Sequence, residues 1–426
     1  MADVSDTRRA ASSSAISAAA EQSVAALDRT TVRLERVCAA REVTGEVGRR
    51  QFLHAGPPID IGDVPGPMRG ALIGGLLFEG EARDVAEAEA IIDSGELTLL
   101  PCHDAGALGA MAGVITPGMP VVVARSSVGH LTFSPLNEGI GGAVRYGSYD
   151  GDTLARLKWM ASDMAPVLDD AIGASEPIEL VDLVADGLRR GDECHNRLIA
   201  TTAILITRLA PALIGAARNR EAAAKVAKMM GDNGHFSLPF AISMAKALTL
   251  AAADIADSPI VTTMSGNGRE FGIRVSGLGD RWFLAPSPIG EPKLIAGARL
   301  EDVTPTMGDS MISETAGFGA FAMSAAPAIM SFVGGTVEQA RGMVEQMRGI
   351  CAGTSSRFLL PAEEHRGTPI GIDVHAVRRS GVAPIINNGL CHRLQGRGRI
   401  GAGITRIPVE PFVAASDALL AAGMVR

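Results

Sequence analysis

Aromatic residues make up only 4% of this 426-residue chain, with two tryptophans and two tyrosines. The net charge is −8, so no basic excess offers itself to nucleic acid or to an anionic membrane surface. No basic stripe interleaved with aromatics offsets that average. The five cysteines, Cys38, Cys102, Cys194, Cys351 and Cys391, are odd in number and include no CxxC pair. That pattern excludes a disulfide framework or a zinc ribbon and points to a reducing compartment. Long clean hydrophobic runs are also missing. The stretch 236–256 carries Lys246 and Asp254, and 311–335 carries Glu314 and Pro327, so neither reads as a membrane span. Arg8 and Arg9 lead into an Ala/Ser-rich segment without the apolar core of an export signal. A cytoplasmic location is the expectation. GxxxxGK[ST] and HExxH are absent and the glycine-rich run 106–113 gives no GxGxxG fingerprint, so no metal or cofactor is expected.

What is present is an ordinary globular composition, 47% hydrophobic and 20% charged, with 50 glycines. The length exceeds a single core and predicts several domains. Residues 1–30 are small and poorly patterned, and read as a flexible extension. Residues 31–151 alternate short apolar runs with Gly/Pro turns and read as an α/β domain. Within it 84–94 has helical spacing, 97–101 and 121–125 read as strands, and 71–78 fits either state. Residues 152–257 form a helical domain by the same criterion. Residues 258–426 read as α+β, opening with a strand meander over 260–265, 270–276 and 281–285. Helices at 311–333 and 337–350 follow. The expected fold is mixed α/β, two α/β domains with a helical one between them.

The densest chemistry lies in Asp192-Glu193-Cys194-His195-Asn196-Arg197. Read as the start of a helix, it places Asp192, His195 and Asn196 on one face and Glu193 with Arg197 on another. A polar cluster leading into an apolar helix predicts either a site wall or a helix-end network. An Asp192–His195 pair would orient substrate or move a proton, and is too small a set for a metal. Cys102 and His103 end a predicted strand, where open α/β sheets place ligands. Cys102 is a candidate nucleophile or a packed thiol, and His103 a polar contact or a turn cap.

Arg69, in Gly66-Pro67-Met68-Arg69-Gly70, is a candidate anion ligand before a helix, or a surface residue of a plain turn. Asn137 and Glu138 precede the glycine pair 141–142, and Glu138 faces Arg145 as a possible ion pair across the turn. His235 follows an N-cap signature, Gly231-Asp232-Asn233-Gly234, and either neighbours the cap or points into a cleft. Arg269 and Glu270 flank the Asn267-Gly268 hairpin dipeptide, which explains the glycine but not the charges. Asp309 and Glu314 stand before a segment of small residues that helix packing accounts for, while their own charges are not explained by packing.

Several of these segments, in order, carry a resemblance. LHAGPPI (53–59), GPMRGALIG (66–74), LFEG (77–80), PCH (101–103), MAGVITPGMPV (111–121) and LNEGIG (136–141) cover the first part. GDECHNR (191–197), GNGREFGI with GDRWF (266–283), GDSMISET (308–315) and FVGGT (332–336) continue it. The chain resembles the YlbE-like family, whose members include a subunit of oxamate carbamoyltransferase from allantoin degradation. Ala105 and Ala110 depart from the resemblance, where His and Pro are expected. The resemblance implies a three-part α/β protein that works with two further polypeptides, one similar to an acyl-CoA-synthetase α subunit. It implies phosphorolysis of oxalurate to oxamate and carbamoyl phosphate. Side-chain chemistry then assigns Arg69, Arg197 and Arg269 as cationic donors, with His195 or His103 transferring the proton. The expected function is a carbamoyl- or acyl-transfer enzyme, or one subunit of it, acting on a small ureide or amide. A homo-oligomer is expected too. The rivals are a stand-alone amidohydrolase of a cyclic amide or ureide, using Cys102 or activated water, and a noncatalytic scaffold subunit.

Overall fold

Alternation and turn chemistry set the strands of the first region, and the computed structural model shows how they pair. It describes residues 18–45, 48, 50–139, 141–216 and 220–425. The stretch 18–29 is a helix (α1) with Ala19, Ala20 and Leu27 buried, so this part of the expected flexible extension is packed. Residues 1–17 lie outside the described residues. β1 (Val32–Ala39) pairs antiparallel with the Val-rich β4 (Pro120–Ser126), which pairs with β5 (Leu131–Pro135). Between them run β2 (Gln51–His54) and β3 (Thr98–Pro101), a short parallel pair. Their crossover carries helices α2 (Gly66–Glu79) and α3 (Val85–Ser94). Asp84 caps α3 by accepting from the Glu87 amide, and left-handed Gly95 ends it.

A continuous helix follows over 151–174 (α4), in which Met160–Met164 form one π turn. Asp150 starts it by accepting from the Thr153 amide. Then come α5 (Leu180–Arg189), α6 (Ile199–Ala216), α7 (Arg220–Asp232) and α8 (Leu238–Ala251). Every residue of α8 from Leu238 to Thr249 is buried, as expected of a largely apolar helix, with Lys246 its one charged residue. It packs across β4 and β5, and the largest apolar core joins α1, this sheet and the helices.

The predicted meander is β6 (Val261–Asn267), β7 (Glu270–Val275) and β8 (Phe283–Pro286), all antiparallel. Gly268 takes φ +86° in its first turn, and Asn267 Oδ1 accepts from the amides of Arg269 and Glu270. β10 (Met307–Gly308) adds to the β6 edge. The segment 311–333, expected as one helix, is instead a chain of 3₁₀ and short α turns. Gly317 and Gly319 in left-handed conformation and Pro327 break the ladder. α9 (Val337–Arg348), β11 (Cys351–Leu360) and β12 (Arg366–Ile372) follow, then α10 (Val374–Ser380) and β13 (Ile385–Cys391). β14 (Arg399–Arg406) lies between β13 and β9 (Glu291–Leu294), and α11 (Glu410–Val425) ends the chain. The fold is mixed α/β, and no described helix is long and apolar enough to cross a membrane.

One packing detail bears directly on the site. A Cβ on Gly70 of α2 would lie 2.3 Å from the carbonyl oxygen of Gly147, in the loop that carries Arg145. Alanine ordinarily stabilises a helix interior by about 1 kcal/mol over glycine. Here backbone on both sides must move, and overpacking costs about 1–3 kcal/mol. Gly70→Ala should therefore lower the urea midpoint; an unchanged or raised midpoint would show that the loop yields freely.

Candidate functional site

Glu193 shapes the segment that bears His195. Its carboxylate accepts three successive main-chain N–H groups, from His195 and Asn196 at 2.6 Å each and from Arg197 at 2.9 Å. Three consecutive amides turned on one carboxylate cannot continue an α-helix. Residues 190–198 are accordingly turns, Cys194 sits at φ +66°, and helix begins only at Ile199. The expected helical stripes of Asp192, His195 and Asn196, and of Glu193 and Arg197, are thereby overturned. Asp192 instead accepts from the Thr201 amide and hydroxyl, at 2.7 and 2.9 Å, and so caps α6. Arg197 donates to the Gly191 carbonyl and lies 3.6 Å from Asp192. Both are bound to the local chain. Burial pushes the Glu193 carboxyl up to about 7, against the pull of His195 and the three amides.

His195 and Asn196 are delivered to a narrow pocket with a cavity volume of about 20 Å³. His195 Nδ1 lies 2.8 Å from Glu314 Oε1, and Nε2 lies 3.0 Å from Ser310 Oγ. Glu314 is fully buried, and Oε1 also accepts the Ala320 amide at 2.9 Å. Burial lowers the His195 pKa and the Glu314 carboxylate raises it; the net direction is upward. Asn196 Nδ2 donates to the Asn387 carbonyl at 2.8 Å, which ties the turn to β13.

The same lining holds Arg145, Tyr146, His235 and Arg399. Arg145 stacks on the Tyr146 ring, 4.5 Å from its centroid, and donates to the Gly139 carbonyl. Arg399 stacks on Phe332 at 4.6 Å, and burial lowers its pKa, with Arg145 adding to the shift. His235 is held down at about 3, by burial first and then by Arg145 and Arg399, so it remains neutral. Ala110, Met111, Leu238, Ser310 and Gly389 complete a lining that contains two arginines and no carboxylate. Such a lining offers positive charge to an anion.

The other candidates fall elsewhere. Arg69 pairs with Asp93 at 2.8 Å and Arg269 with Asp63 at 2.9 Å, both on the surface, so neither reaches the pocket lining. Glu270 opens β7, outside that lining. Asn137 and Glu138 line an adjoining pocket that shares Ala110, Arg145 and Leu238. Asn137 donates to the His235 carbonyl and accepts from Asn233, which braces the His235 turn. Glu138 takes the amides of Val144 and Arg145 in place of the expected ion pair with the Arg145 guanidinium, and so shapes the arginine loop.

Cys102 and His103 sit behind the pocket. The Cys102 thiol is buried, donates to the Gly113 carbonyl at 3.4 Å, and is pushed well up by burial and then by Asp309. It is not placed as a nucleophile. His103 Nε2 is 3.2 Å from Asp309 Oδ1, though off the line of a hydrogen bond. Burial first, then Lys246, lowers its pKa despite Asp309.

Arg145, Arg399 and Ser310 were not among the predicted site residues. Arg145 and Ser310 stood inside motifs read from the sequence, but nothing local marks either as facing a cleft. Arg399 comes from β14, more than 200 residues from the His195 turn, and only the tertiary fold joins them.

The family model described as oxamate carbamoyltransferase subunit AllG matches residues 97–310. Oxamate carbamoyltransferase subunit AllG of Escherichia coli K12 is 40% identical over 373 residues, 87% of this chain and 89% of that protein. The chain belongs to the AllG family. Another relative, uncharacterized protein YahG of Escherichia coli K12, is 40% identical over 85% of this chain and 77% of its own length. A crystal structure of a conserved protein of unknown function from Enterococcus faecalis V583 superposes with a TM-score of 0.93 at 39% identity. That match covers 95% of this chain and 98% of the other.

In this AllG-family chain the His195 turn depends on Glu193. Glu193→Ala leaves three amides without their acceptor, and each buried orphan donor costs about 1–3 kcal/mol. Urea unfolding of the variant should show a loss on the order of 3 kcal/mol or more. A loss under about 1 kcal/mol would mean that other acceptors hold the turn.

Proposed function

We propose that this pocket carries carbamoyl transfer between a small ureide carboxylate and phosphate, with the chain acting as one subunit of the enzyme. The observation that carries the reading is the lining itself, which holds Arg145 and Arg399 together with His195 and Asn196 and no acidic residue. The AllG relative of Escherichia coli is named for oxamate carbamoyltransferase, and oxalurate is the ureide whose carbamoyl group yields oxamate on transfer. Oxalurate and phosphate are both anions, so two guanidinium groups are matched to their combined charge. The reaction breaks the bond between the carbamoyl carbon and the oxamate nitrogen, and joins that carbon to a phosphate oxygen. The leaving nitrogen needs a proton. The His195–Glu314 pair is suited to relay it: neutral His195 takes a proton from the attacking phosphate and returns it to that nitrogen, and the buried carboxylate on Nδ1 stabilises the imidazolium in between. His235, kept neutral, adds a polar contact without a competing proton.

The purified chain, alone and mixed with the other subunits, should form carbamoyl phosphate from oxalurate and phosphate. The free-enzyme acidic limb of kcat/KM should lie above the ordinary histidine value of 6.5, the side to which Glu314 shifts His195. The imidazole must be neutral to accept a proton, so activity is lost as pH falls through that limb. Glu314→Gln removes the raising charge and should move the limb to lower pH while lowering kcat. Absence of turnover in every combination would overturn the carbamoyl-transfer reading, and an unmoved limb would overturn the role of the pair.

A further inference from the structure

The pocket contains a hydroxyl that direct transfer to phosphate does not require. Glu314 Oε1, His195 Nδ1, His195 Nε2 and Ser310 Oγ form a continuous line, with gaps of 2.8 and 3.0 Å. With Nδ1–H donating to Glu314, the Nε2 lone pair accepts the Ser310 hydroxyl. Carboxylate, imidazole and serine in that order are the arrangement that activates a nucleophilic hydroxyl. We propose that Ser310 is the nucleophile that accepts the carbamoyl group before phosphate does. This rests on the reading of the pocket as a carbamoyl-transfer site.

The chain leading into Ser310 is held in place. Gly308 adopts φ +116°, and a Cβ there would lie 2.6 Å from the Met111 amide nitrogen, so only glycine permits this approach. The next residue, Asp309, accepts the amides of Gly56 and Gly109 at 2.9 Å each and also the Ser265 hydroxyl. Three separate segments thus lock the peptide that leads into Ser310. The hydroxyl is buried yet lines the pocket, together with Arg145 and Arg399. A side chain placed only to fill space would not need its hydroxyl on the histidine.

The chemistry balances in two steps. Ser310 Oγ attacks the carbamoyl carbon as its proton passes to His195 Nε2, and an arginine of the lining meets the charge on the carbonyl oxygen. The bond from that carbon to the ureide nitrogen breaks, and His195 returns the proton to the departing amide. A carbamate ester on Ser310 remains. A phosphate oxygen then attacks the same carbon, carbamoyl phosphate leaves, and Oγ recovers a proton from phosphate through His195.

p-Nitrophenyl carbamate tests this step without the natural ureide, because its phenolate reports carbamoylation of the protein. The full-length protein should release a stoichiometric burst of phenolate, and peptide mass spectrometry should find one carbamoyl group on Ser310. Phosphate should hasten its loss as carbamoyl phosphate. Ser310→Ala, with an unchanged melting curve, should lose the burst and lower oxalurate turnover by about 1000-fold or more. A wild-type protein that turns over oxalurate without any Ser310 adduct would overturn the nucleophile and leave carbamoyl transfer standing. So would a Ser310→Ala variant with undiminished turnover. A labelled Ser310 in a protein that ignores oxalurate both alone and with the other subunits would support the nucleophile and overturn the ureide reading instead.

Discussion

The buried carboxylate of Glu314 is the constraint on which the site depends. It binds the His195 ring, the Ala320 amide and, at 3.4 Å, the Asn387 amide. Those partners belong to the 190–198 turn, to the 3₁₀ segment after Gly319 and to β13. A fully buried charge is costly unless surrounded by donors, and these donors must come from segments far apart in sequence. The fold therefore has to be complete before Glu314 gains these partners, and His195 is oriented as part of the same requirement. Gly319 shows how tight the arrangement is. A Cβ there would lie 2.4 Å from Glu314 Oε1, and the Gly319 amide donates to the Glu193 carbonyl at 2.7 Å.

Glu193 and Glu314 act on the same histidine in different ways. Glu193 bends the chain through its three amide bonds, while Glu314 sets the charge and direction of the ring. Behind them lies a second polar group around Asp309, with His103, Lys246 and Arg274. Burial and then Arg274 press Lys246 down to about 8. Arg274 stacks on Trp282 and is paired with Asp104 and Asp280. This group connects to the pocket through Asp309, the neighbour of Ser310. Its role in the account is support of the main chain under the serine.

Local signals carried much of the fold. The Val-rich strand 120–126, the Asn267-Gly268 hairpin and the capped helix after Asp84 are short-range features, and sequence spacing located all three. Segment 311–333 looked helical because its small apolar residues fit a helix; the left-handed glycines that break it are fixed by contacts with distant chain. The 192–197 turn misled for a related reason. Helical spacing accounts for its residue types, but Glu193 folds back on its own amides, and periodicity does not detect that competition. Chemical identity alone drew attention to His195, Asn196, His235 and Glu314. Arg69 and Arg269 had the right chemistry and the wrong neighbours, Asp93 and Asp63. Arg145 and Arg399 gave no local signal, since stacking on Tyr146 and Phe332 is a tertiary property.

The central claim is that Arg145 and Arg399 hold an anion beside His195. The most direct measurement is a crystal structure of the full chain soaked with oxamate and phosphate. The account predicts both anions between those two guanidinium groups, with the amide end of oxamate turned toward His195 and Ser310. Oxamate and phosphate bound only elsewhere, at the Lys246–Arg274 group or on the surface beside Arg69, would contradict it.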